Sequence, residues 1–184
     1  METKKCLLMT VGGTPPQGIK TIEFNKPEYV IFFCSEQTYP LARELVEGLD
    51  ESYKLKDFER ITTPDAEILS ESYLTLVHEL PGKLRRFNLT MDDVTVDYTG
   101  GTKSMVAAIV LATIQQCKTY SYIGGKSRSK DNIGFVIGGD EKFFYQDNPW
   151  NSLAINELPV MDMLFNRARY AALSEKLSEM AERM

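Results

Sequence analysis

Val94-Thr95-Val96-Asp97-Tyr98-Thr99-Gly100-Gly101-Thr102-Lys103-Ser104-Met105-Val106-Ala107-Ala108 reads as a short buried strand, a glycine turn and the start of an apolar helix. Val94 and Val96 alternate as strand residues do, and a paired glycine admits backbone conformations closed to other residues. From Ser104 onward the residues favour helix. A helix that starts directly after such a turn presents unpaired N–H groups to whatever lies beyond the strand end, which suits an anion. The hydroxyls of Thr99, Thr102 and Ser104 and the ammonium of Lys103 cluster at the same point, so the expected ligand is a phosphate ester. A phosphate-loop nucleotide hydrolase is disfavoured, because Thr102 separates Gly101 from Lys103 where that motif needs a glycine.

A second turn of the same kind opens the chain. Lys5-Cys6-Leu7-Leu8-Met9-Thr10-Val11 is a short apolar strand, and Gly12-Gly13-Thr14-Pro15-Pro16-Gln17-Gly18 follows it. In a doubly wound parallel sheet the first strand lies beside the strand across the switch point, and ligands bind in the crevice beyond the carboxyl ends of both. The two glycine turns then face one site.

These two stretches, Met9-Thr10-Val11-Gly12-Gly13-Thr14 and Asp97-Tyr98-Thr99-Gly100-Gly101-Thr102-Lys103-Ser104-Met105, resemble the motifs of the CARF domain, the CRISPR-associated Rossmann-fold sensor. The resemblance runs from about Lys5 to Tyr145. It implies a homodimer that binds a cyclic oligoadenylate, the second messenger of type III CRISPR systems, across its two-fold axis and switches an attached effector domain. The favoured ring is cyclic tetra-adenylate. On that resemblance Thr99, Gly100, Gly101, Thr102, Lys103, Ser104 and Met105 of both copies embrace the ring, Thr10, Gly12, Gly13 and Thr14 meet phosphate or ribose, and Ser35 and Gln37 address bases. Some such sensors also cleave the ring. Here that reaction would be a metal-independent attack of a ribose 2′-hydroxyl on the adjacent phosphate, with Lys103 stabilising the developing charge.

Composition agrees with a soluble sensor. The chain has 184 residues, 43% of them hydrophobic and 26% charged, enough for one domain with a full core plus an appendage. A net charge of −5 argues against a long nucleic acid as partner, whereas a small ring needs only a local patch. Cys6, Cys34 and Cys117 sit singly in apolar runs, without zinc-site or disulfide spacing, and read as reduced core residues of a cytoplasmic protein. No metal, no cofactor and no membrane span is expected. His78 is the only histidine and reads as a surface or half-buried residue. A dehydrogenase fails for want of G-x-G-x-x-G spacing, and a DNA-binding regulator for want of a winged-helix signature.

Strand and helix patterns alternate along the chain, which gives the expected fold class: α/β, a Rossmann-like, doubly wound, mainly parallel sheet with helices on both faces. A helix around Ile19 to Phe24 leads to Tyr29-Val30-Ile31-Phe32-Phe33-Cys34, a run apolar enough for a strand buried on both faces. Ser35 either caps the next helix, through Leu41, Leu45, Val46 and Leu49, or stands with Glu36 and Gln37 at the ligand rim. The third strand lies within Tyr53 to Ile61. A helix from about Asp65 to Arg86 is expected to bury Ile68, Leu69, Tyr73, Leu76, Val77 and Leu80, and to break or kink at Pro81-Gly82.

After the motif helix comes a strand at Thr119 to Ile123, then a basic loop from Lys126 to Lys130 that either folds over a phosphate ring or solvates a hairpin tip. The hairpin strands are Ile133 to Ile137 and Glu141 to Tyr145, with a turn at Gly138-Gly139-Asp140. Trp150 reads as an anchor for the final helix. Residues 1–150 form the ligand-sensing domain and 151–184 a helical connector. In the connector Leu173, Leu177, Met180 and Met184 repeat like a coiled-coil seam. That pattern ends without a stop signal, so the effector domain is expected to lie beyond this chain.

Overall fold

The computed structural model describes residues 5–13, 15–50, 53, 55–117, 119–125, 141–149 and 157–181. The chain divides into two compact units between Gln146 and Asp147. The first is built on a six-stranded sheet in the order β3-β2-β1-β4-β5-β6. Its strands are β1 (Cys6–Thr10), β2 (Tyr29–Ser35), β3 (Asp57–Thr63), β4 (Val94–Asp97), β5 (Thr119–Gly125) and β6 (Glu141–Asp147). From β3 across to β5 the pairing is parallel. This is the doubly wound order, with the switch point between β1 and β4. The expected fold class is what the chain adopts.

The apolar run in β2 shows why the sheet is covered twice. Phe33 packs with Leu8, Ile31 and Val96 on one face, while Phe32 packs with Leu7, Met9 and Val30 on the other. Both rings are fully buried, and each such burial contributes about 1.5–3 kcal/mol. Helices α1 (Pro15–Asn25) and α2 (Tyr39–Glu47) supply Ile22, Ala42 and Leu45 to the Phe32 face. On the Phe33 face, α3 (Leu69–Arg86) and α4 (Lys103–Thr113) supply Leu76, Leu80, Met105 and Ile109.

Three local expectations are corrected. Ser35 ends β2 and is not the cap of α2; Thr38 is the N-cap, and Ser35 Oγ accepts from Thr38 N–H at 3.2 Å while Thr38 Oγ1 accepts from Ser35 N–H at 3.0 Å. The reciprocal pair closes the turn between strand and helix. The third strand starts later, at Asp57, and runs two residues past Ile61 to Thr63. Helix α3 continues through Pro81 without ending. The missing N–H would have served Val77, which is 40% exposed, so water can serve that turn instead.

The buried stripe of α3 is Ser72, Leu76, Leu80 and Leu84, while Ile68, Leu69, Tyr73 and Val77 are exposed. Asn88 then stops the helix at φ 55°, with Leu89 N–H bonded to Leu84 O and Asn88 N–H to Arg85 O.

The second unit contains α5 (Leu158–Asn166) and α6 (Tyr170–Ala181), joined through Ala168 at φ 54°. Leu173, Leu177 and Met180 lie on α6. Met184, Trp150, the Lys126–Lys130 loop, the first hairpin strand and its turn lie outside the described residues. No helix of the described residues is long and apolar enough to cross a membrane.

Candidate functional site

Parallel strands put all their carboxyl ends on one side, and there the segments after β1, β2, β3 and β4 surround a cavity of about 520 Å³. Its wall takes Val11, Gly12 and Gly13 from the first glycine turn, and Gly101, Thr102 and Met105 from the second. Ser35, Glu36, Gln37 and Thr38 follow β2, and Pro64, Asp65, Ala66 and Glu67 follow β3.

The two glycine turns pack on each other because β1 and β4 are direct neighbours, Met9 opposite Asp97. A Cβ on Gly12 would stand 2.6 Å from Gly101 N, and one on Gly100 would stand 2.9 Å from both Gly12 N and Thr10 O. Neither glycine can take a side chain while these backbones touch. Gly101 adopts φ 81°, the left-handed region. Thr10 Oγ1 donates to Gly100 O at 2.7 Å, tying the end of β1 to the second turn.

The threonine and serine hydroxyls are engaged in building the site. Thr102 is the N-cap of α4: its Oγ1 accepts from Met105 N–H at 3.2 Å and donates to Ala66 O. Ser104 Oγ donates to Glu67 O at 2.7 Å. Together they clamp the β3–α3 loop to the start of α4. Thr99 Oγ1 accepts from Ile123 N–H at 2.9 Å, a link to β5. Each of these three hydroxyls thus has a partner within the protein and ties the segments around the site together. Lys103, the first residue of α4, is exposed, and the N–H groups of this first turn precede the intrahelical ladder.

Of the residues singled out in the sequence, Gly12, Gly13, Ser35, Gln37, Gly101, Thr102 and Met105 line the cavity. Thr10, Thr99, Gly100 and Ser104 hold it from behind, and Thr14 lies outside the described residues. The β3–α3 loop was missed. Its signal was Thr62-Thr63-Pro64-Asp65, a polar strand end and turn at the ligand side of a parallel strand.

Beneath the second turn lies Asp97, 1% exposed. Its Oδ1 accepts from Thr99 N–H at 3.0 Å and its Oδ2 from Ser121 Oγ at 2.6 Å. Burial raises its pKa above the ordinary 3.8, against the hydrogen bonds from Ser121 and from the backbone and side chain of Thr99, which favour the carboxylate. Glu36, Asp65 and Glu67 make the lining acidic, and among the described residues no lysine or arginine stands in it. Among the described residues no cluster of three His, Cys, Asp or Glu is placed to hold a metal ion.

No protein-family model and no curated protein matches the chain. Solved structures do. Csm6 of Enterococcus italicus, bound to cyclic hexa-2′-fluoro-hexa-dAMP, superposes with a TM-score of 0.61 at 12% identity, over 97% of this chain and 50% of that one. The fold is that of a CARF domain. Protein VC1899 of Vibrio cholerae is similar at a TM-score of 0.52 and 10% identity, over 65% of this chain and 30% of that one. Can2 of Sulfobacillus thermosulfidooxidans, in complex with cyclic tetra-adenylate, is a more distant match, at 0.48 and 16%, over 65% of this chain and 32% of that one. The chain with this CARF-like fold thus spans half the length of Csm6 or less of these proteins.

Proposed function

We propose that this chain is the sensor of a cyclic oligoadenylate, bound across a homodimer, and that it regulates an effector in type III CRISPR defence. The observation that carries this reading is the contact of the two glycine turns at the carboxyl ends of β1 and β4, which builds one wall of the cavity. The cyclic nucleotide held by the structurally similar Csm6 is the model for the ligand.

Charge divides the site. A cavity whose described lining carries three carboxylates suits base and ribose, with the carboxylates accepting from amino groups. The phosphates then belong at the rim, against the start of α4 and the exposed Lys103. Its volume of about 520 Å³ is that of a site for one small ligand, so a ring of four nucleotides is shared between two copies. Cyclic tetra-adenylate, two nucleotides to each copy, is the ring we favour. The protein acts in the cytoplasm on this reading, and the effector is covalently linked.

The surface beside the site supports a dimer. Helix α4 is apolar nearly all round, Met105-Val106-Ala107-Ala108-Ile109-Val110-Leu111-Ala112, yet only one side of it is buried in a single copy. A helix of that composition is ordinarily covered on every side. Its outer face, with Leu111 53% exposed, and the neighbouring Tyr73 and Val77 of α3 form the surface a second copy would cover.

The test is calorimetric titration with cyclic tri-, tetra- and hexa-adenylate, followed by chromatography of the recovered ligand. One ring bound per two chains and recovered intact is the expected result, with affinity falling at least about tenfold in Lys103→Ala. Linear product would add ring cleavage. No binding of any ring would overturn the reading.

A further inference from the structure

A line of hydrogen bonds leads from the second glycine turn away from the cavity to the last strand of the sheet. Thr99 N–H donates to Asp97 Oδ1 at 3.0 Å, and Ser121 Oγ donates to Asp97 Oδ2 at 2.6 Å. Asn25 Nδ2, at the end of α1, reaches Ser121 Oγ at 3.4 Å, and Tyr145 of β6 donates its hydroxyl to Asn25 Oδ1 at 3.1 Å. Asp97, Ser121 and Asn25 are all buried, at 1%, 2% and 7% exposure. A second link runs beside the first, since Tyr98 donates its hydroxyl to Gln146 Oε1 at 2.8 Å. Two neighbouring residues of the motif are thus connected to two neighbouring residues of β6, immediately before the boundary between the two units.

A bland core would not be built this way. Buried polar groups cost free energy unless they are partnered, and a path of four side chains drawn from β4, β5, α1 and β6 must be satisfied at every step. Tyr145 is held in place besides by its ring, which stacks on Phe24 of α1 at 5.1 Å, and Phe24 stacks on Phe143 at 4.0 Å. The strand that leaves the first unit is therefore fixed to α1 by aromatic contact and to the glycine turn by hydrogen bonds.

We propose that Tyr145 and Asn25 are positioning residues for the Thr99–Gly100 turn, acting through Ser121 and Asp97, and that the turn and β6 are coupled by this path. Neither residue lines the cavity. The coupling does not depend on which ligand the cavity takes. Because such coupling is reciprocal, anything that fixes the turn also fixes β6, and anything that displaces β6 loosens the turn. This gives the site a physical route to the strand from which the chain passes into its second unit.

Amide hydrogen exchange tests the proposal on the whole chain. Tyr145→Phe removes one hydroxyl and keeps the ring. Tyr53→Phe is its control, because it removes a comparable hydroxyl bond, to Pro27 O, that is not part of the path. The expected result is about fivefold faster exchange at the Thr99 and Ile123 amides in Tyr145→Phe, the effect of one neutral hydrogen bond, and none in Tyr53→Phe. Ser121→Ala, which cuts the path at its middle, must reproduce the pattern. Unchanged exchange in Tyr145→Phe, or equal acceleration in both tyrosine variants, would overturn the coupling.

If cyclic tetra-adenylate binds the wild-type chain, it should also slow exchange at the Tyr145 and Gln146 amides, and Tyr145→Phe should remove that effect. Slowing that persists undiminished in Tyr145→Phe would count against the path. If no ring binds, the proposed ligand is wrong, while the exchange comparison without ligand still decides the coupling.

Discussion

Gly12 and Gly13 are adjacent and identical in chemistry, yet they differ in what they touch. A Cβ at Gly12 would stand 2.6 Å from the backbone nitrogen of Gly101, and one at Gly13 would meet nothing within 4 Å. Gly12→Ala should therefore cost about 1–3 kcal/mol, as overpacking does, and weaken ligand binding. Gly13→Ala should leave the urea midpoint close to wild type. Equal midpoints for the two variants would show that the turns do not pack as described. Asp97 makes the other prediction at this scale. Burial raises its pKa above 3.8, so the folded chain holds that proton more tightly than the unfolded one. The associated stability is complete below the unfolded value and is lost as pH rises through the folded value. Asparagine at this position has no proton to lose. Asp97→Asn should therefore gain stability relative to wild type as pH rises above the unfolded value of 3.8, measured by urea denaturation; a difference that does not change with pH would contradict the burial argument.

Among the elements, α4 carries the clearest unmet demand. Leu111 points an apolar side chain outward from a helix whose other side already contributes Met105, Ala108 and Ile109 to the core. Leu111→Glu should leave the fold intact, because Leu111 belongs to neither core cluster, and should convert a dimer to a monomer by placing a charge on its interface. Sedimentation velocity at several concentrations reads this directly; a variant that still dimerises would move the interface elsewhere. Helix α3 shows where reading by pattern stops. The residues expected inside included Tyr73 and Val77, but the buried stripe begins at Ser72, a polar residue that no hydrophobic pattern selects. Ser72 Oγ is satisfied by Thr63 Oγ1 at 3.1 Å and Asp65 O at 3.3 Å, groups contributed by the strand and loop just before the helix. Tertiary partners of that kind decide a stripe only after the chain has folded.

At the scale of the molecule, the sheet order was legible because β1, β2 and β4 are apolar enough to be central and the two glycine turns require their strands to be neighbours. The wall of the cavity made by Pro64 to Glu67 was not, since β3 is an edge strand with charges in its pattern and its true end was obscured. The second unit differs from the first in what holds it. Helices of 9 and 12 residues are marginal as isolated segments. No described residue of α5 or α6 is buried, and Leu158, Met163, Phe165, Tyr170 and Leu177 are exposed. Their junction is a two-bond C-cap, Arg169 N–H to Leu164 O at 2.9 Å and Ala168 N–H to Phe165 O at 3.0 Å, with alanine rather than glycine at the left-handed position. An isolated peptide of residues 157–181 should consequently show less than about half of full helical content by circular dichroism. Ala168→Gly should raise that content, because glycine adopts the left-handed conformation at roughly 1 kcal/mol less cost. A peptide that is fully helical alone would mean that the unit supports itself. A weakly helical one, improved by Ala168→Gly, would mean that these helices draw their stability from whatever covers their apolar side chains.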